Sequence, residues 1–474
     1  MSDGTTQVVV CGGGITGLTV AYRLLRALEG RVRVTVVEAS DRLGGSLVTL
    51  RRDGLVLDGG ADAFVASKPQ AKELCRELGI AERLQETDAR HRHVYFMRRG
   101  RLVRLPEGMV LAVPTRFWPL VKSPLFSVVG KARMGLDLLA PRRHDDGDES
   151  IASFLGRRLG AEAVEVFGEP LLAGIFSGDP TRLSIQATFP QLVDLERNHR
   201  SLVVGALAQR SKAPAPKNGR APSAFLALRG GMGELVETLS ERLRILGCEI
   251  VKGAAVSAVR RDRAGFRVTV RHADREETLV ANRVVFASPA AAIARAIDDL
   301  DPEAARELRR IPHVSTASLL LAYPRAAVPH ALDASGILIP RREGHDASAV
   351  TFMSSKWEGR APDDVALLRV FLGGHARPEV RGMTNDDLVE IAKAELRSTL
   401  GITVDPLTAE TFRWSDARPQ PVIGHLDRVR AIRSRLAKHG GLYAAGAPFD
   451  GVGISDCVRQ ANEVVNEVVR SLSD

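Results

Sequence analysis

The sequence predicts an α/β fold, α+β when the whole chain is counted. Three observations carry that reading. A short apolar strand at residues 7–11 runs through a glycine-rich turn into an amphipathic helix and then a second strand. A second strand–glycine–helix passage, from residue 442 to residue 472, closes the chain. Between the two lie short apolar runs at 315–323, 335–339, 349–353 and 366–372, the strands of a second sheet.

In chain order, residues 15–28 place Leu18, Ala21, Tyr22, Leu25 and Leu28 on one helical face. Residues 32–37 alternate and are β-branched, so strand, helix and strand form a βαβ unit. Residues 48–57 read as a hairpin turning at Asp53-Gly54. Residues 109–139 mix apolar side chains with Pro114, Pro119 and Pro124 and become helical from Gly130. A buried helical subdomain is expected there. The alternative is a membrane-surface patch, because Phe117, Trp118, Val121 and Val128 are interleaved with Arg116, Lys122, Lys131 and Arg133.

Residues 142–149 form a charged loop, and 151–159 and 161–172 read as helices. An exposed loop is expected at 211–223, which holds Pro214, Pro216, Gly219 and Pro222. Residues 235–246 are helical, 249–270 strand-rich, and 283–287 an apolar strand ended by Ser288-Pro289. A helix at 384–399, a last strand at 442–445 and a closing helix at 452–472 complete the pass, which finds no internal repeat.

The composition, 45% hydrophobic and 26% charged over 474 residues, is that of a globular protein of two to three domains. Such a chain buries its cores without disulfides or structural metal. Cys11, Cys75, Cys248 and Cys457 lie far apart with no histidine at ligand spacing, so free thiols are expected and no metal site. The polar N-terminus does not read as a signal peptide, and no apolar run suits a spanning helix. The expected location is the cytoplasm, or the inner face of a membrane as a peripheral protein. The net charge of +9 favours an anionic partner: a carboxylated substrate, acidic lipid or nucleic acid. Basic residues gather at Arg98, Arg99, Arg101 and Arg104. With 5% aromatic residues and no base-stacking platform, nucleic acid is not expected.

The N-terminal turn, Gly12-Gly13-Gly14-Ile15-Thr16-Gly17, contains the Gly-x-Gly-x-x-Gly arrangement of dinucleotide-binding folds. Gly12 allows the tight turn, Gly14 leaves room for a pyrophosphate, and Gly17 lets helix and strand pack closely. Phosphates suit the helix N-terminus, where free N–H groups and the helix dipole favour anions. Glu38 ends the second strand and can accept hydrogen bonds from a ribose diol. Arg42-Leu-Gly-Gly45 follows, a spacing typical of a large flavoprotein superfamily, and selects FAD over NAD. Arg42 either neutralises phosphate, orders the loop or is a plain surface arginine. Asp58-Gly-Gly-Ala-Asp62 is similar to the loop beside the flavin in amine-oxidase-like enzymes. The run from Gly446 to Cys457 aims a second helix N-terminus at the isoalloxazine, where it can stabilise negative charge on reduced flavin.

The chain resembles the FAD-dependent porphyrinogen oxidases of haem biosynthesis, which share the amine-oxidase-like fold. The resemblance runs nearly end to end. It rests on residues 8–18, 37–45, Glu-Pro-Leu-Leu-Ala-Gly-Ile-Phe-Ser-Gly-Asp (169–179), Leu-Ser-Ile-Gln-Ala-Thr-Phe-Pro (183–190), His-Arg-Ser-Leu (199–202) and 451–457. It implies a Rossmann-like FAD-binding domain from residues 1–64, 224–290 and 412–474. It further implies a mixed-sheet substrate domain (65–92, 184–223 and 291–411) and an inserted helical domain (93–183), for which a membrane-facing role stays open.

The resemblance also implies a six-electron oxidation of a porphyrinogen, with molecular oxygen reoxidising the flavin. Cofactor contacts are implied at Gly12, Gly13, Gly14, Ile15, Thr16 and Gly17, then at Glu38, Ala39, Arg42, Gly45 and Ser46. Further contacts are Gly60, Ala61, Asp62, Ala63, Val256 and Trp414, with Gly446, Val452, Gly453 and Ile454 near the C-terminus. Substrate contacts are implied at Gly174, through its carbonyl, at Phe176, and at Arg92, which pairs with a propionate or else serves only the surface. No side-chain base is assigned. A homodimer stays open as a partner.

The chain departs from the family pattern at Ala61, where Pro is usual, at Pro448, where Ser is commoner, and at Pro421, in place of a frequent Tyr. Coproporphyrinogen III is the favoured substrate on the C-terminal and N-terminal runs, and protoporphyrinogen IX the alternative on Arg92. An amine oxidase, a carotenoid desaturase and a non-catalytic flavin-dependent binding protein are the readings outside this class.

Overall fold

Five strands, all parallel, form the sheet at the base of the molecule. Their order is Glu249–Val251, Val32–Val37, Thr6–Cys11, Arg283–Phe286 and Leu442–Ala444. Strands from the start, middle and end of the chain thus sit side by side. The computed structural model describes residues 5–472 apart from 111, 144, 146, 213–222 and 264. The proline-rich loop expected at 211–223 lies mostly outside the described residues, as does Leu111.

Two helices flank this sheet and pack on each other, Ile15–Ala27 and Ile454–Arg470. The closing helix buries Ile454, Cys457, Val458, Ala461, Val464, Val465 and Val468, the spacing of one helical face. These meet Leu18, Ala21, Tyr22 and Leu25 of the first helix in one core. Deleting a fully buried leucine such as Leu18 would cost about 2–5 kcal/mol. A three-stranded antiparallel layer, Ala255–Asp262, Gly265–Arg271 and Glu276–Ala281, packs beside the parallel sheet.

The second sheet has seven strands, in the order Thr408–Pro419, His313–Pro324, Val365–Gly373, Ala347–Phe352, Gly336–Leu338, Val94–Arg98 and Arg101–Arg104. It is antiparallel except between Gly336–Leu338 and Val94–Arg98. Every strand expected from the apolar runs is present in it. The sequence carries no strand expectation for the last two: it shows a basic cluster at 98–104, and the resemblance implies an inserted helical domain over 93–183. These two strands form a hairpin turning at Arg99 (φ +52°) and Gly100 (φ +70°), so Arg99, Arg101 and Arg104 decorate a sheet edge, while Arg98 is buried and pairs with Glu162 at 2.6 Å.

The hairpin at Asp53-Gly54 forms as expected, with both turn residues at positive φ. In the stretch 109–139, helices run over Phe117–Lys122 and Val128–Gly135, so helical structure begins well before Gly130. Leu120, Leu125, Phe126 and Met134 are buried there, while Phe117 is 69% and Val128 82% exposed. The segment therefore has both a core side and an apolar outer side. Residues 161–175 form a nearly continuous helix, interrupted by a π-helical turn at Val164–Gly168. The helices Pro190–His199 and Leu202–Lys212 pack with this helical group through Leu192, Leu195, Leu202 and Ala206.

Candidate active site

The first strand ends at Cys11 and turns at once into the first helix. Gly12 sits at φ +118°, and a Cβ there would lie 2.6 Å from the Ala287 carbonyl oxygen. A Cβ on Gly17 would fall 1.9 Å from the Gly12 carbonyl oxygen, so only glycine lets the helix lie this close. Gly14 is different. Its backbone is extended, and a Cβ would meet nothing nearer than the Gly45 Cα at 4.0 Å. The space beside Gly14 is free of protein. It faces the start of a helix with Ile15 and Thr16 in its first turn, no side-chain cap and no acidic residue there. That combination suits an anion.

A second glycine turn closes against the first. The Gly44 N–H donates to the Gly13 carbonyl at 2.8 Å, and Gly45 is in the left-handed region. Arg42 Nη2 donates to the Gly45 carbonyl at 2.7 Å, so of the roles expected for this arginine its contacts perform the ordering of the loop. Glu38 braces both sides: Oε2 accepts from the Gly13 N–H at 2.7 Å, and Oε1 from the Ser40 N–H at 2.9 Å. Ala39 is exposed next to it. The Ala254 N–H donates to the Glu38 carbonyl at 3.0 Å, bringing the strand that carries half-buried Val256 alongside. Glu38, Ala39 and Val256 are thereby neighbours although they come from two distant stretches.

The Asp58–Ala63 segment carries the site towards the second sheet. A Cβ on Gly60 would lie 1.6 Å from the Ser46 carbonyl oxygen, so these two backbones are in direct contact. The Gly59 carbonyl accepts from Ser318 Oγ at 2.6 Å, Arg369 Nη2 at 2.9 Å and Trp414 Nε1 at 3.2 Å. Arg369 Nη2 also donates to the Gly60 carbonyl at 2.5 Å. Ala61 is exposed beyond this anchor, and Ala63 packs on the core. Asp62 Oδ2 accepts from Lys356 Nζ at 2.7 Å and Trp357 Nε1 at 2.8 Å. Burial pushes the Asp62 carboxyl up, but Lys356 and Arg369 outweigh it and hold the group well below the usual carboxylate range.

Ser318, Lys356, Trp357 and Arg369 escaped the sequence reading. Arg369 had a signal: it is the single charge in the otherwise apolar strand Val365–Gly373.

The C-terminal turn meets the N-terminal one. A Cβ on Gly446, at φ +120°, would lie 3.3 Å from Thr16 Oγ1. Gly453 caps the closing helix without a side-chain hydrogen bond, Ile454 is buried, and Val452 packs towards the helical core. Two uncapped helix N-termini therefore open near the same glycine loops.

The expected substrate residues lie in different settings. Gly174 is exposed on the helix Glu169–Ile175, with no atom within 4 Å of a Cβ position. Phe176 is 6% exposed, with its ring edge-on to Phe189. Arg92 Nη2 donates to Glu86 Oε2 at 2.7 Å and Nε to the Thr87 carbonyl at 3.2 Å. Its guanidinium is thus engaged with a neighbouring strand. Among the described residues no group of His, Cys, Asp and Glu could hold a metal ion.

An extended dinucleotide fits these residues: an open glycine cradle, two helix N-termini, a carboxylate at the end of the second strand and a glycine segment anchored by its carbonyls. The family model for flavin containing amine oxidoreductase matches residues 15–469. The chain is 32% identical over 477 residues to coproporphyrinogen III oxidase of Bacillus subtilis (strain 168), with all of both chains covered. It is 36% identical to the enzyme of the same name from Propionibacterium freudenreichii subsp. freudenreichii, covering 98% of this chain and 90% of the relative. It is 30% identical to chloroplastic protoporphyrinogen oxidase of Nicotiana tabacum, covering 98% and 86%. A solved structure from Exiguobacterium sp. 255-15 superposes with a TM-score of 0.85 at 29% identity, each chain covered in full.

Proposed function

The chain belongs to the family of flavin-containing amine oxidoreductases, and from that premise we propose that it oxidises a porphyrinogen to a porphyrin. The favoured substrate is coproporphyrinogen III. The observation that carries this reading is end-to-end likeness to coproporphyrinogen III oxidases at 32% and 36% identity. The cofactor is FAD. When bound, it accepts the electrons of each oxidation step and passes them to molecular oxygen. Six electrons and six protons leave the substrate in three two-electron steps, and three molecules of oxygen become three of hydrogen peroxide.

The chain's own residues hold and shield these reactants. Gly14 and the first helix receive the pyrophosphate, and Glu38 receives the adenosine ribose. Arg369, Ser318 and Trp414 fix the Gly59–Gly60 backbone that faces the flavin. The start of the closing helix would offset negative charge on the ring of a bound flavin. Gly174 presents bare backbone to the macrocycle, which lets a broad, flexible substrate approach closely and supplies orientation rather than a proton-transfer group. The protein's net charge of +9 draws in a substrate with four propionates.

The outer side of residues 117–139 favours peripheral contact with an anionic membrane. Phe117, Trp118, Val128, Val129 and Leu139 are exposed there, as are Lys122 and the adjoining Arg116. No helix among the described residues is long and apolar enough to cross a membrane.

The test is aerobic addition of each porphyrinogen to the purified yellow protein, followed by porphyrin fluorescence. Faster turnover of coproporphyrinogen III is expected. Faster turnover of protoporphyrinogen IX would move the assignment to that substrate, and enzyme-independent rates with both would overturn it.

A further inference from the structure

Arg418 lies near the end of the strand Thr408–Pro419, four residues beyond Trp414, whose indole N–H reaches the Gly59 carbonyl. Four residues of strand advance about 13 Å. That offset carries Arg418 away from the cofactor segment and under the helix that ends at Ile175. Arg418 Nη1 donates to the Ile175 carbonyl and Nε to Thr316 Oγ1, both at 3.2 Å. A guanidinium has five N–H groups. Among the described residues the other three have no partner, and no carboxylate pairs with Arg418.

The surroundings make this unusual. Arg418 is half-buried, and burial with the like charge of Arg369 pushes its pKa down to about 10. Lys356, Arg369 and Arg418 place three cations on this side of the second sheet, while Asp62 is the carboxylate that Lys356 and Arg369 share. A half-buried guanidinium with free N–H groups and no paired carboxylate is open to an anionic ligand. Arg418 also adjoins the bare Gly174–Ile175 backbone, the surface the proposed reaction gives to the macrocycle.

We infer that Arg418 binds a carboxylate of the substrate through its free N–H fork, fixing one edge of the tetrapyrrole while the ring lies against Gly174. This rests on the porphyrinogen reading and extends it: the substrate must carry an ionised acid on the edge that points along this strand. Arg92, engaged with Glu86, would then serve a different edge or none. A bidentate guanidinium–carboxylate contact gives both charge and orientation.

The test compares wild type, Arg418→Gln and Arg418→Lys as FAD-loaded enzymes. The substrates are coproporphyrinogen III and its tetramethyl ester, the latter dispersed in detergent. For Arg418→Gln the KM of the tetra-acid should rise roughly 10- to 100-fold with little change in kcat, the loss of a charged hydrogen bond. The ester's KM should not move, and Arg418→Lys should recover part of the loss. Equal rises for acid and ester would mean that Arg418 only holds the Ile175 carbonyl, and would overturn the inference, as would unchanged kinetics.

A fluorescence titration with coproporphyrin III separates this inference from the function it rests on. If wild type binds this porphyrin and Arg418→Gln binds it at least tenfold more weakly, Arg418 stands even if neither porphyrinogen turns over. If wild type does not bind it, the inference falls.

Discussion

At the scale of the residue, Gly14 and Gly17 share a motif but do separate work. The fold needs Gly17, because a Cβ there would sit 1.9 Å from the Gly12 carbonyl oxygen. The fold does not need Gly14, because a Cβ there meets nothing nearer than the Gly45 Cα at 4.0 Å, and the proposed pyrophosphate seat uses that space. Gly14→Val should therefore keep the melting temperature of the flavin-free protein and lose bound flavin. Gly17→Val should lower that melting temperature, through overpacking worth about 1–3 kcal/mol or more. Flavin absorbance and thermal melts of the stripped proteins check both. A Gly14→Val protein that purified yellow would refute the cradle. These roles were legible in the sequence because they follow from spacing along one strand, turn and helix. Arg369 was not: its hydrogen bonds to Gly59 and Gly60 join residues more than 300 positions apart.

At the scale of the element, the His-Arg-Ser-Leu run at 199–202 is a structural corner. Arg200 adopts φ +63° at the end of the helix Pro190–His199. Ser201 Oγ donates to Asp137 Oδ2 at 2.6 Å, and the Arg200 carbonyl accepts from Arg158 Nη2 at 2.6 Å. Asp137 and Arg158 are fully buried and paired at 2.5 Å. Asp137→Ala should lower stability by about 3–5 kcal/mol, because it removes the nearer counter-charge of a buried guanidinium and leaves it Glu196 at 3.6 Å. The double substitution Asp137→Leu with Arg158→Met should recover much of that loss in denaturant titrations. The outer side of residues 117–139 makes a second prediction. Phe117→Ser with Trp118→Ser should weaken binding to anionic vesicles by at least about tenfold, since each buried apolar side chain is worth on the order of 1.5–3 kcal/mol. Co-sedimentation measures it, and equal binding by wild type and variant would remove the membrane role of this segment.

At the scale of the whole molecule, the helix His425–Lys438 is tied to the C-terminal glycine run by one buried histidine. His425 is 2% exposed, its Nε2 lies 2.8 Å from the Phe449 carbonyl oxygen, and its Nδ1 has no partner among the described residues. Burial pushes its pKa down; the Phe449 carbonyl opposes this, Arg428 adds to it, and Asp450 and Asp148 oppose it. His313 and His330 are likewise pushed down by burial. The unfolded chain then takes up protons, below about pH 6.5, that the folded protein refuses. Stability from this source is present above that pH and is lost as the pH falls. Melting temperature should drop between pH 7.5 and 5.5, and drop less in a His425→Gln variant. An identical slope in that variant would clear His425 of the effect.

The sequence by itself determined the two strand–turn–helix passages, the strands of the second sheet and the glycine cradle. Each depends on a period of two or 3.6 residues or on a turn whose geometry only certain residues allow. It could not determine the register that brings residues 6–11, 283–286 and 442–444 into one sheet, nor the edge hairpin at 94–104. Nor could it reveal that Arg369 and Arg418 share one side of that second sheet, with Asp62 and Asp58 near Arg369 and no carboxylate paired with Arg418 among the described residues. Long-range pairing is chosen by which apolar faces bury each other and which buried charges find partners, and neither is written in local spacing. The tertiary structure decided those.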